Sequence, residues 1–168
     1  MTDPFEPMGS GFDTAEFRRV LGHLPTGVTI IASVLDGEPV GLAVGTFFSV
    51  SLEPPMVGFC VAKASTSFPH VAEAGTFCAS VLAHDQEAVS RVFASSGADK
   101  FRGLGWRRSA ESASPMVNDA IAWIDCAIAS VTDAGDHLIV LGDVLHLEVD
   151  RSTRPLVFFR GGYHTIGL

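Results

Sequence analysis

Apolar residues along the chain fall into short runs at two spacings, and turn-forming dipeptides separate them. Val28 to Val34 is apolar and β-branched, Asp36-Gly37 is a tight-turn dipeptide, and Pro39 to Val44 returns, which predicts a hairpin. Thr46, Ser49 and Ser51 then alternate with Phe48, Val50 and Leu52 at a period near two, so their hydroxyls are predicted to share one strand face. Pro54-Pro55 removes two amide donors and ends the ladder. The run Met56 to Ala62 is short and continuously apolar, the pattern of a strand buried on both faces. Thr76 to Leu82 predicts another strand. Ile121 to Val131 and His137 to Val149 predict a second hairpin around Thr132 to Asp136, and Pro155 to Phe159 a last strand.

Helical spacing is confined to three segments. Asp13 is a cap with Glu16 three residues on, Phe12 and Phe17 stand at staple positions, and Gly22 marks the end. Phe68 to Ala74 predicts a second helix. Asp85 to Ser95 predicts a third with Val89, Val92 and Phe93 facing inward and Ser96-Gly97 closing it. Asp99 to Ser114 mixes Lys100, Arg102, Arg107 and Arg108 with Phe101 and Trp106 between glycines, and reads as a loop. Many strands, few helices and closely spaced turns predict a mainly β, antiparallel barrel with peripheral helices.

Composition narrows this picture. A chain of 168 residues fits one domain, 12–168, after a loose arm over 1–11 that holds two prolines and two glycines. The hydrophobic share of 47% against 18% charged residues suggests that a partner copy covers apolar surface. A net charge of −8 argues against nucleic acid as a partner. Cys60, Cys78 and Cys126 are odd in number and embedded in apolar runs, which suggests neither a disulfide framework nor a metal knuckle but small core residues in a reducing compartment. No pair of histidines shows metal-ligand spacing, so no metal is expected. With Asp3 and Glu6 near the start, no basic leader and no run of membrane-spanning length, the expectation is a cytoplasmic protein without a membrane anchor.

Candidate chemistry gathers between Gly41 and Phe68. Ser65-Thr66-Ser67 precedes a predicted helix and reads either as a cap or, with Lys63 beside it, as a site for a phosphate. The basic segment after Asp99 is either a solvated loop or a flap that offers cations to a ligand. No glycine-rich dinucleotide fingerprint or Walker loop is present, so a nicotinamide cannot be argued from a dinucleotide fold. His137, taken alone, reads as an exposed turn histidine.

Five stretches resemble one family: PTGVTIIAS at Pro25 to Ser33, PVGLAVGTFFSVSLEPPMVGFCVAKASTSF at Pro39 to Phe68, ADKF at Ala98 to Phe101, GDH at Gly135 to His137, and FFRGGYH at Phe158 to His164. They are similar to flavin reductase-like proteins of the FMN-binding split-barrel type, small reductases that supply reduced flavin to two-component monooxygenases. The resemblance covers nearly the whole chain. It implies an antiparallel split β-barrel, a homodimer with flavin near its interface, FMN or FAD as flavin, and NADH or NADPH as hydride donor docked on the flavin ring. A flavin-dependent monooxygenase is the implied recipient.

The same resemblance implies a site. Backbone groups of Ala43, Val44, Gly45 and Thr46 and of Cys60, Val61 and Ala62 would hold the ring, and Ser49 and Ser51 would face the ligand. Lys63, Thr66 and Ser67 would take the phosphate, Lys100 and Phe101 would touch the ligand, and Arg160 and Tyr163 would complete the nicotinamide side. His137 is assigned to orienting the nicotinamide. Hydride transfer needs aligned rings and stabilising amides rather than a side-chain nucleophile, so no triad is sought. Two other readings keep the barrel: a flavoprotein with tightly bound FMN acting on another substrate or a flavin carrier, and a structural dimer with an empty cleft.

Overall fold

The computed structural model describes residues 11–97 and 99–167. The assigned arm, apart from Gly11, and Ala98 of the ADKF stretch lie outside the described residues. Helix α1, Thr14–Leu21, begins where predicted: the Asp13 carboxylate accepts the Glu16 amide at 2.6 Å, and the Gly22 amide closes on the Arg18 carbonyl. Phe12 and Phe17, expected as a staple, are instead 72% and 60% exposed, and α1 buries no residue.

β1, Thr26–Gly27, leads into the first hairpin, β2, Thr29–Leu35, and β3, Glu38–Val44. Asp36 and Gly37 both take positive φ, the backbone a two-residue hairpin turn requires. β4, Phe48–Leu52, pairs with β5, Pro55–Ala62, and a register shift between Ser49 and Ser51 breaks the expected single hydroxyl face. Helix α2, Phe68–Ala74, and strand β6, Thr76–Val81, follow. Helix α3, Glu87–Ala94, buries Ser90 and Phe93 while Val92, expected inward, is exposed, because the covered stripe runs through Gln86, Val89 or Ser90, and Phe93.

The segment expected as a loop after Asp99 contains a short strand, β7, Trp106–Arg108, paired with β8, Pro115–Val117. β9, Ala122–Ala134, and β10, His137–Val149, form the long hairpin, with β9 reaching further than its apolar run because the turn is only Gly135-Asp136. β11, Leu156–Phe159, pairs with β12, Gly162–Thr165, a strand the glycines had obscured.

Seven strands form one antiparallel sheet in the order β3-β2-β6-β9-β10-β5-β4, and β1, β11 and β12 form a second. Ile31, Leu42, Val44, Val57, Phe59, Phe77 and Val140 belong to one buried cluster, so β3 at one margin and β5 near the other share a core. Side chains can meet in this way only if the sheet curls into a barrel. Gly142 sits at a register shift in β10, where an added Cβ would lie 2.8 Å from the Phe77 ring, so glycine permits the close approach. A second cluster on the other face of β2 joins Ile30, Leu82, Phe93 and Phe101. β2 is therefore buried on both faces.

Candidate functional site

The curled sheet does not close. Among the described residues, β3 has β2 on one side only and β5 has no β4 partner after Gly58, so the edges of the two strands diverge. A cleft of about 450 Å³ opens there. Its walls are Leu42 to Thr46 after and within β3, Cys60 to Ala62 of β5, Ala64 to Ser67 before α2, Phe93 to Ser96 at the end of α3, and Lys100 and His137. Unpaired strand edges carry amide donors and carbonyl acceptors that need partners, which suits a flat heterocycle with alternating donors and acceptors.

Thr46 secures the rim. Its hydroxyl donates to the Cys60 carbonyl at 2.8 Å and accepts from the Cys60 amide at 2.9 Å, replacing one missing rung of the ladder. The Ser65 amide donates to the Ala62 carbonyl, turning the chain out of β5, and the Ser65 hydroxyl accepts from the Phe68 amide at 3.2 Å. The cap is thus Ser65, while Ser67 stands at the start of α2 with no side-chain capping bond. Thr66 lines the cleft between them.

Lys100 is half-buried against the cleft, and its ammonium donates to the Ser67 hydroxyl at 3.2 Å, the Phe93 carbonyl at 3.2 Å and the Gly41 carbonyl at 3.3 Å. Burial holds its pKa below the ordinary lysine value. His137, the first residue of β10, lies opposite Ala62 of β5. Its Nδ1 is 2.7 Å from an Asp136 carboxylate oxygen, and this hydrogen bond holds the Asp136 carboxyl below the usual range.

Of the residues assigned from sequence, the structure therefore brings Ala43, Val44, Gly45, Thr46, Cys60, Val61, Ala62, Thr66, Ser67, Lys100 and His137 to one cleft. It does not bring the others there. Lys63 pairs with Asp133 of β9 at 2.7 Å, because the β9–β10 turn folds against the end of β5. Ser49 and Ser51 lie on β4, beyond the point where β4 leaves the cleft margin. Phe101 is buried edge-on between Phe93 and Trp106.

Arg160 and Gly161 form the turn between β11 and β12, and the Tyr163 hydroxyl bonds Ser90 at 2.8 Å with Arg91 stacked on its ring. The other cations of the 99–114 segment are also committed elsewhere, Arg102 to Asp99, Arg107 to Glu148 and Trp123, and Arg108 to Trp106. The wall formed by Phe93 to Ser96 was missing from the sequence assignment. Its signal was the serine pair after an apolar helix, a helix end rich in hydroxyls.

Comparisons with known proteins agree with this geometry. The flavin reductase like domain matches residues 21–167. A flavin reductase of Pseudomonas putida is 46% identical over 159 residues, covering 94% of this chain and 93% of its own. The reductase subunit HsaB of a flavin-dependent monooxygenase from Mycobacterium tuberculosis is 46% identical over 158 residues, covering 93% of this chain and 84% of its own. Among solved structures, the NADH:FAD oxidoreductase of Streptomyces globisporus in complex with NAD and FAD fragments superposes with a TM-score of 0.88 at 35% identity, over 92% of this chain and 93% of its own. A barrel margin left unpaired beside a half-buried lysine, carried on a sequence this similar, makes the chain a member of the flavin reductase-like family.

Proposed function

We propose that the protein is an NAD(P)H:flavin oxidoreductase that reduces FMN or FAD and passes reduced flavin to a partner monooxygenase. The observation that carries this reading is the cleft at the barrel's open margin, where two unpaired strand edges meet a half-buried ammonium. The fit is chemical: the pyrimidine edge of an isoalloxazine offers donors and acceptors to backbone groups, and the phosphate on the flavin's ribityl chain offers charge to Lys100. When bound, the flavin supplies the hydride-accepting chemistry.

The chain's own part is placement. Backbone of Ala43 to Thr46 and of Val61 and Ala62 holds the ring, the Thr46–Cys60 bonds occupy the Cys60 amide and carbonyl and keep that wall rigid, and Thr66 and Ser67 offer hydroxyls to the phosphate. His137 donates through Nδ1 to Asp136, which fixes the imidazole and leaves Nε2 for the nicotinamide carboxamide. The reductase subunit named among the relatives supports a monooxygenase as recipient.

A homodimer is in keeping with the apolar face of α1, where Phe17, Val20 and Leu21 are exposed among the described residues. We assign the protein to the cytoplasm, in keeping with three cysteines free of disulfides; no helix among the described residues is long and apolar enough to cross a membrane. Oxidation of NADH and NADPH, followed by absorbance with and without added FMN or FAD, tests the reading. Flavin-dependent oxidation with at least one nucleotide is expected. Flavin that co-purifies and stays bound through gel filtration would mark a tightly held cofactor instead.

A further inference from the structure

Phe48 is an aromatic side chain that the fold leaves partly bare beside the cleft. It is the first residue of β4, 42% exposed, and stands across from Gly58 of β5. An added Cβ at Gly58 would lie 2.7 Å from the Cε2 and Cζ atoms of the Phe48 ring and 3.2 Å from Leu141 Cδ2. Glycine at 58 therefore lets the ring reach across β5 toward Leu141 of β10.

Register fixes the face on which the ring lies. Val57, Phe59 and Val61 of β5 and Val140 of β10 are buried in the barrel core, so Gly58, Cys60 and Ala62 point to the outer face. Leu141, Ile139 and His137 pair with those three in an unbroken register and share that face. Cys60, Ala62, Ile139 and Leu141 are only half-buried there. The result is a shelf of small and apolar groups with Phe48 at one end and His137 at the other. Cys60, Ala62 and His137 also line the cleft, so the shelf runs on from it.

The length of the shelf suits a dinucleotide. Gly58 and Ala62 are four positions apart, about 13 Å along a strand. With the nicotinamide beside His137, the second ring of an extended dinucleotide reaches that far. A purine is flat with apolar faces, and an exposed aromatic ring is a stacking platform for it.

We propose that Phe48 is a specificity-determining contact for the hydride donor: it stacks on the adenine of NADH or NADPH while the nicotinamide lies at His137, so that the enzyme selects the dinucleotide over its nicotinamide mononucleotide half. This rests on the reductase reading above and adds to it a place for the adenine end of the donor, which His137 does not reach.

The test compares NADH with reduced nicotinamide mononucleotide as donors, at saturating FMN so that NADH carries the only adenine, for wild type, F48S and F48W. Wild type is expected to favour NADH in kcat/KM. F48S raises KM for NADH about tenfold with kcat little changed, alters neither constant for the mononucleotide by more than twofold, and leaves FMN affinity as it was; F48W restores the wild-type KM. Adenosine, added to wild type, competes with NADH and spares oxidation of the mononucleotide, a measurement that needs no variant to fold.

Equal losses for both donors in F48S, or adenosine inhibition of both alike, would overturn the proposal by returning Phe48 to a brace of the strand or to the flavin. A change in the oligomeric state of F48S by sedimentation would overturn it in favour of a second copy covering the shelf. Wild-type protein that oxidises neither donor with FMN or with FAD would overturn the reductase reading itself.

Discussion

The Thr46 hydroxyl and the Cys60 backbone exchange two hydrogen bonds, donated at 2.8 Å and accepted at 2.9 Å, across fourteen positions of sequence. A side chain here does what a paired residue does in a ladder, at the place where β5 has lost its strand partner. The cleft can therefore expose strand edges without letting its wall fray.

Replacing Thr46 by Val keeps the shape and removes both bonds, leaving the Cys60 amide and carbonyl without their partner. Because the site is solvent-accessible, water recovers part of the loss, and a destabilisation of about 1 kcal/mol is expected. Thr46→Ser should stay close to wild type. Urea unfolding of the two variants checks this; a Val variant as stable as wild type would show that the rim holds without the hydroxyl.

His137→Ala is expected to raise KM for the nicotinamide nucleotide, or slow flavin reduction, with flavin affinity little changed. His137 stands on β10, separate from the Ser65 to Ser67 wall and from Lys100. Losing one positioning bond costs about 1 to 3 kcal/mol, roughly tenfold to a hundredfold in kcat/KM. Rapid-mixing reduction kinetics beside a flavin titration separate the outcomes, and an equal loss of flavin affinity would move His137 to the flavin site.

Lys63→Ala should leave FMN binding unchanged within twofold. The ammonium is engaged with Asp133 at 2.7 Å in an exposed pair, whose loss costs at most about 0.5 kcal/mol of stability and vanishes in high salt. A tenfold loss of FMN affinity with riboflavin spared would bring the phosphate to Lys63 instead.

Alkaline pH should weaken FMN relative to riboflavin earlier than an ordinary lysine would allow. Burial lowers the Lys100 pKa below 10.5, so the ammonium loses its charge in the window beneath that value, and the attraction for phosphate goes with it. The sign for stability is opposite. A folded pKa below the unfolded one means that the fold binds fewer protons across that window, so this group's contribution to stability rises with pH there. The ratio of FMN to riboflavin affinity between pH 7 and 10 is the useful readout, because ring ionisation affects both ligands alike. A constant ratio would separate phosphate binding from Lys100.

The sequence by itself determined the elements and most of their order. Period-two patterns and turn dipeptides located the Asp36-Gly37 and Gly135-Asp136 hairpins, because strand pairing there is local and its signals lie within a few residues. It also located the cleft walls on Ala43 to Thr46 and Cys60 to Ala62 through a resemblance carried by contiguous motifs. What it left undecided were the directions of side chains whose partners are distant in the chain.

Lys63 and Lys100 are both lysines near hydroxyl-rich stretches, yet Asp133 draws one outward while Gly41, Ser67 and Phe93 draw the other into the cleft. Ser49 and Ser51 were separated from Thr46 by a single inserted residue in the pairing of β4, which no period count on one strand reveals. Tyr163 turned to Ser90 because the last hairpin packs on α3. Charge pairing, ladder register and packing between remote segments are properties of the curled sheet, and only the tertiary structure decided them.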